Sequence, residues 1–488
     1  MTVEVRVLGV AVLSSGMVFL DGTILNVALP SIRDGLGADL RGLQWILDAY
    51  LVTLTALLLF GGALGDRFGR RRVLLVGVAG FAAASLLCGA APSTGLLIGA
   101  RALQGVTGAL LVPGSLALLS ATVPVAQRAR WIGVWSGLSG AAGAVGPFAG
   151  GWLVDAASWR WAFLVNLPLA AVVVVLARSL PESVNDDAPT HLDVVGAVTA
   201  AVGLAALAAG LIEAGERWSA TTGGLVFAGV ALLARFWVHE HRSPAPMLPP
   251  ELFASRQFTG ANVVTLAVYA GLGVSFFLVV INLQLALDYS ALEAGVALLP
   301  ITGCMLVLSP VAGALAQQVG ARTPMTAGPL VAAGGLVWLG RVGPGDSYVT
   351  GVFPAAFVYG VGLALTIAPL TAAVLAAVDD RHLGVGSATN NAVARLAGLL
   401  AVAVLPAAAG VDLERVGPGG LPGYTTAMDI AATLCAFGAL AAFTMIQRTK
   451  PVPPTIQPSV HQPCIEAVRA ERFYAKAVPL GAGRRGPA

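Results

Sequence analysis

The sequence predicts an all-α integral membrane protein whose fourteen transmembrane helices are arranged as six, two and six, with both termini cytoplasmic. Three observations carry this. Only 11% of the 488 residues are charged and the mean hydropathy is +0.83, where a soluble chain carries about a quarter charged residues. Fourteen apolar segments reach the roughly 20 residues a helix needs to cross the hydrocarbon layer. One motif near the start returns, worn, eight segments later.

The segments lie near 7–30, 43–64, 72–91, 95–121, 131–154 and 160–179, then 194–213 and 221–239, then 258–285, 292–316, 324–341, 349–374, 386–410 and 426–447. The first is too long for the apolar core of a signal peptide, so it reads as an uncleaved helix. With the N-terminus inside, 20 of the 28 basic residues fall on the cytoplasmic side and six outside, as the positive-inside rule asks. The stretch Gly61-Gly-Ala-Leu-Gly-Asp-Arg-Phe-Gly-Arg-Arg-Arg72 recurs as Ala312-Gly-Ala-Leu-Ala-Gln-Gln-Val-Gly-Ala-Arg-Thr323. An offset of eight helices implies a duplicated six-helix unit with two helices inserted between the copies. The expected domains are therefore 1–180, an inserted pair with its linkers at 181–257, 258–447, and a proline-rich, disordered cytoplasmic tail at 448–488.

Several chemistries are excluded or disfavoured. The four cysteines form no CxxC pair, and no metal-ligand cluster lies in the spans, so no metal or cofactor is expected. The only lysines are Lys450 and Lys476, in the tail, so a Walker phosphate loop is absent. Nothing suggests a nucleic-acid partner. A membrane-embedded enzyme is the remote alternative to a carrier.

The motifs narrow the reading. Gly62, Gly65, Asp66, Arg67, Gly69, Arg70 and Arg71 belong to a glycine-rich basic turn between helices two and three. Glycine suits such a reversal because it tolerates positive φ; an ordinary positive-inside turn is the bland alternative. The whole pattern resembles the G-x-L-x-D-R-x-G-R-[KR] loop of the major facilitator superfamily, which there latches the two halves at the cytoplasmic face. Leu20-Asp-Gly-Thr-Ile-Leu-Asn-Val-Ala-Leu-Pro30, Trp159-Arg-Trp-Ala-Phe-Leu-Val-Asn-Leu-Pro168 and Tyr289-Ser-Ala-Leu-Glu-Ala-Gly-Val-Ala-Leu-Leu-Pro300 are similar to signatures of its fourteen-helix drug:proton antiporter branch. Arg101-Ala-Leu-Gln-Gly-Val-Thr-Gly108 resembles that family's R-x-x-Q-G motif. Gly137, Gly146, Pro147, Gly150 and Gly151 resemble its antiport motif; physically they form a small-residue stripe with a proline kink, suited to close packing. Arg395 resembles a helix-thirteen position that is expected to complement the latch around Asp66.

The resemblance implies proton-driven export of a lipophilic or cationic drug or antibiotic, by a carrier working as a monomer in the bilayer. A dedicated exporter of a self-made antibiotic or metabolite is the alternative. Charged residues within a span are costly and so functional by default. Asp21, near the middle of helix one, is expected to carry the exchanged proton, and Arg101 to set its affinity. Asp48 is either a second acid or part of a solvated outer vestibule. A structural polar anchor remains the other reading of Asp21. Asn26, Gln104, Trp135, Asn262, Tyr269, Phe276 and Gln284 are the expected substrate liners, at the midplane between the halves.

Overall fold

The computed structural model describes residues 3–184, 192–215, 217–244, 246–379, 383–417 and 420–447. Its helices belong to one compact unit, Met1–Thr449. The tail expected at 448–488 lies outside the described residues.

Seventeen α-helices are described. The first eight are α1 (Val3–Leu36), α2 (Leu40–Phe68), α3 (Arg70–Ala90), α4 (Thr94–Gly108), α5 (Leu111–Thr122), α6 (Val125–Ala156), α7 (Trp161–Leu164) and α8 (Asn166–Ala177). Two follow, α9 (Val194–Ala214) and α10 (Ala220–Arg242). The last seven are α11 (Arg256–Leu285), α12 (Ala291–Ala297), α13 (Leu299–Val319), α14 (Arg322–Leu339), α15 (Phe353–Leu375), α16 (Leu383–Ala408) and α17 (Tyr424–Met445). All fourteen apolar segments are helical. Among the described residues, eleven helical rods are both long and apolar enough to cross a membrane. Glycine-rich α6, the short α7–α8 rod and α14, with Pro324 and Pro329, fall below that test.

Three expected spans are broken in two, and proline accounts for each break. The interruptions at 109–110, 165 and 298 lie two to four residues ahead of Pro113, Pro168 and Pro300. A proline has no N–H to give to the carbonyl four residues earlier, and its ring crowds that carbonyl.

The packing is pairwise repetitive. In the first half α1 packs on α6 and α8, α2 on α4, and α3 on α4 and α8; in the second α11 packs on α16 and α17, α13 on α15, and α14 on α15 and α17. Between these groups α9 and α10 lie against each other, and α9 also lies against α2 and α16. Gly229 brings α10 so near α9 that a methyl group there would overlap Leu207 backbone. At one end of this pair Asp193 caps α9 through the Gly196 N–H (2.7 Å) and meets His239 of α10 at 2.8 Å, while buried Glu240 accepts from the Leu248 N–H (2.9 Å).

Candidate functional site

Two buried charges of opposite sign anchor one network. Asp21 of α1 and Arg101 of α4 are each 1% exposed, and Arg101 Nη1 donates to Asp21 Oδ2 at 2.5 Å. The other carboxylate oxygen accepts from Gln104 Nε2 (2.8 Å) and Asn166 Nδ2 (3.1 Å). Gln104 also donates to Ser85 Oγ at 2.9 Å and accepts a second Arg101 Nη1 bond at 2.6 Å. Arg101 Nε donates to the Ile46 carbonyl (3.1 Å), and its guanidinium lies 4.1 Å from the Tyr50 ring centroid. Helices α1, α2, α3, α4 and α8 thus converge on one ion pair sealed from solvent. Arg101 points inward and is not drawn toward the membrane surface. A buried pair is stable only when further hydrogen bonds satisfy its remaining atoms, and here the neutral amides do so.

Glycine brings α4 close enough for this. A methyl group at Gly105 would overlap Thr53 Oγ1 and the Tyr50 carbonyl oxygen. Asn166 and Ser85 were not singled out from the sequence. Asn166 lies within the Trp159–Pro168 motif, so a signal existed for it; Ser85 carried none.

Asp48 stands apart from this network. It is fully buried, and neither carboxylate oxygen has a hydrogen-bond partner among the described residues. On the same face of α2, one turn earlier, Gln44 donates to the Val402 carbonyl of α16 (2.7 Å), and one turn later Val52 packs with Leu204 of α9 and Leu399 of α16. Asp48 therefore faces the seam with α9 and α16. A cleft of about 770 Å³, lined by Arg33, Asp34, Arg41, Gln44 and Glu414 among others, opens beyond Gln44. Asp48 itself is sealed beneath it, so the solvated-vestibule alternative does not describe its position.

The turn between α2 and α3 ties together elements of its own half. Asp66 pairs with Arg70 (2.8 Å), Arg71 Nη1 donates to the Leu180 carbonyl (2.5 Å), and Arg67 stacks on Phe68. Glu182, which follows α8, accepts from the N–H groups of Arg71 (3.0 Å) and Arg72 (3.1 Å) and so caps α3. Gly69 has φ +105°, and a methyl there would strike the Glu182 carboxyl. Gly62 and Gly65 have room for a side chain; the close contact is made by Gly61, against the Ala109 carbonyl that Pro113 leaves free. Removing the cap by Glu182→Ala is expected to lower stability by about 1 kcal/mol, measured as a drop in the thermal unfolding midpoint in detergent.

Arg395 does not join this turn. Its guanidinium lies 5.8 Å from the Phe19 ring centroid, two residues from Asp21, and Asp66 is taken by Arg70. The expected complement to the latch is thereby corrected: α16 carries Arg395 past the middle of α1, far along the bundle from the turn.

The small-residue stripe seats α6 on two partners. Gly146 and Gly150 face α1, where a methyl would overlap Thr23 Oγ1 and Ile24, and Thr23 Oγ1 donates to the Gly143 carbonyl at 2.8 Å. Gly151 meets the Ala291 carbonyl, and Gly295 of α12 meets the carbonyl of Pro147. Asp155 caps α12 through the N–H groups of Ala291 (3.2 Å) and Leu292 (2.8 Å). The surroundings of Gly137 lie outside the described residues. Gly151→Val is expected to part α6 from α12. Faster labelling of a cysteine at Asn26→Cys by an impermeant maleimide, several-fold over the same cysteine in the wild-type background, would register this.

The expected substrate liners divide. Gln104 belongs to the Asp21 network. Trp135 is buried in the first half and donates to Ser15 Oγ (3.2 Å). Asn262 is 5% exposed and accepts from Asn390 (3.1 Å) within the second half. These three are occupied internally because packed helices must satisfy every buried amide and indole N–H. Asn26 bonds its own helix at the Gly22 carbonyl. Gln284 donates to the Val27 carbonyl at 2.9 Å, joining α11 to α1. Tyr269 and Phe276, one face of α11, are half-buried.

A helical bundle with a sealed ion pair, and small-residue seams between its two groups of helices, is the frame of a polytopic membrane protein. Comparison agrees: the chain belongs to the Major Facilitator Superfamily, whose profile matches residues 11–402. It is 35% identical over 447 residues to the puromycin resistance protein of Streptomyces alboniger, covering 88% of this chain and 89% of that one. It is 37% identical to the tetracenomycin C resistance and export protein of Streptomyces glaucescens (80% and 73% covered) and 31% identical to the multidrug transporter MdtP of Bacillus subtilis (80% and 72% covered). Among solved structures a D-xylose-proton symporter shares the fold, with a TM-score of 0.66 at 14% identity over 92% of this chain and all of that one. The protein is a multi-pass membrane transporter of the bacterial cytoplasmic membrane, not an enzyme.

Proposed function

We propose that the chain is a proton-coupled antiporter exporting a lipophilic drug or antibiotic by alternating access. In this reading fourteen helices form two six-helix halves around an inserted pair, both termini face the cytoplasm, and one chain suffices. The repeated pairing of α1–α8 and α11–α17 supports the two halves. The carrying observation for coupling is the Asp21–Arg101 pair. If Asp21 takes a proton, Arg101 keeps the Ile46 carbonyl, Gln104 Oε1 and the Tyr50 ring. These neutral partners lower the cost of opening the pair, which is what a proton-coupled carrier needs.

Asp48 is the candidate second acid, since its unpartnered oxygens await either a proton or a cation. The resistance and export roles named for the relatives point to drugs or antibiotics as cargo. The Streptomyces names favour, as a second reading, a dedicated exporter of one endogenous compound. Expression in a pump-deficient host challenged with a panel of dyes and antibiotics tests both. Resistance that collapses with an uncoupler supports the antiport reading, and resistance indifferent to the uncoupler removes it. A single protected compound would select the dedicated role.

A further inference from the structure

The half-buried guanidinium of Arg395 has no acidic partner among the described residues. Arg395 makes no hydrogen bond or ion pair among the described residues, and its covered Nε has no acceptor. By contrast Arg101 is saturated with partners. A charge partly withdrawn from solvent without a counter-charge is costly, and its remaining exposed side leaves room for a ligand to supply one.

The surroundings are aromatic. Phe19 of α1 offers its ring to the cation at 5.8 Å, and Tyr269 stands on α11, which crosses α16 at close range. The Tyr50 hydroxyl is committed to the Val18 carbonyl (3.3 Å), whereas that of Tyr269 has no partner among the described residues. A glycine crossing sets the register: a methyl at Gly273 of α11 would lie 2.7 Å from Gly398 Cα of α16. Tyr269 and Arg395 each precede that crossing by one turn, so the two parallel helices present both donors on the same side of it. Asp21 is already neutralised by Arg101, and Asp48 is sealed against α9 and α16. Among the described residues no further carboxylate is shown beside Arg395.

We propose that Arg395, with the Tyr269 hydroxyl, is the anion-reading element of the substrate site, and that the exported compound is a planar aromatic acid carrying a carboxylate or phenolate. This rests on the export reading and specifies its cargo. The guanidinium fork would grip the acidic oxygen by paired charge-assisted hydrogen bonds, and Phe19 would cover the ring system.

Two dyes on the same xanthene frame separate charge from shape: anionic fluorescein and cationic, esterified rhodamine 6G. Binding to the full chain in nanodiscs, read by fluorescence anisotropy at pH 8 without any gradient, should favour fluorescein in the wild type. Arg395→Gln should weaken fluorescein roughly tenfold to a hundredfold while rhodamine binding holds or tightens, which also shows the variant is folded. Arg395→Lys should fall between, since it keeps the charge and loses the fork. A wild type that prefers rhodamine or is indifferent to charge overturns the proposal. So does an Arg395→Gln variant that keeps fluorescein affinity or loses both dyes equally. Fluorescein binding of the expected pattern with no proton-dependent flux would instead overturn the export reading alone.

Discussion

Asp21→Asn is expected to abolish substrate-induced proton movement in vesicles while leaving substrate binding measurable. Asparagine is close to isosteric with aspartate. Its carbonyl oxygen can still accept from Gln104 and Asn166, which hold Oδ1 at 2.8 and 3.1 Å. What is lost is the negative charge opposite Arg101. The change leaves Arg101 buried without its counter-charge, a cost of about 3–5 kcal/mol that the Ile46 carbonyl and Gln104 offset only in part, so a monodisperse size-exclusion profile of the variant is read alongside. The readout is pH-sensitive dye quenching in the vesicle lumen on addition of substrate. Unchanged proton movement would sink the assignment of Asp21 and return it to the role of a polar anchor.

Arg101→Ala should be more damaging and in a different way. It leaves the Asp21 carboxylate buried without its cation, which costs about 3–5 kcal/mol, and it empties the space above the Tyr50 ring. We expect little folded protein by size-exclusion chromatography. The double variant Asp21→Asn/Arg101→Gln removes both charges and leaves amides able to bond each other. It should recover monodispersity without recovering transport. A double variant as unstable as Arg101→Ala would show that packing against Tyr50 and Phe163, not charge balance, is what Arg101 contributes.

Much of the site was legible because its rules are local. Arg101, Gln104, Gly105 and Gly108 repeat at three and four residues, which places them on one helix face, and a charge in an apolar run announces itself. The substrate liners were less legible. An aromatic or amide in a span has the same appearance whether it faces a cavity or a neighbour, and Trp135 and Asn262 proved to be spent on Ser15 and Asn390. Glu182 was overlooked for a related reason: it lies in a polar linker, and only the fold brings it to the start of α3, more than a hundred residues earlier.

The sequence by itself determined the solvent, the helical class, the motif repeat and which ionisable residues lie within spans, because each follows from composition or from spacing along one helix. Which groups face one another was decided by the tertiary structure alone. It gave Asp21 to Arg101, sealed Asp48 against α9 and α16, turned Asp66 back on Arg70, and left Arg395 beside Phe19 without an acid. The physical reason is that a charge in the membrane interior is costly unless a partner stands at hydrogen-bonding distance, and helix crossings set by glycines such as Gly105 and Gly273 decide which charges meet one.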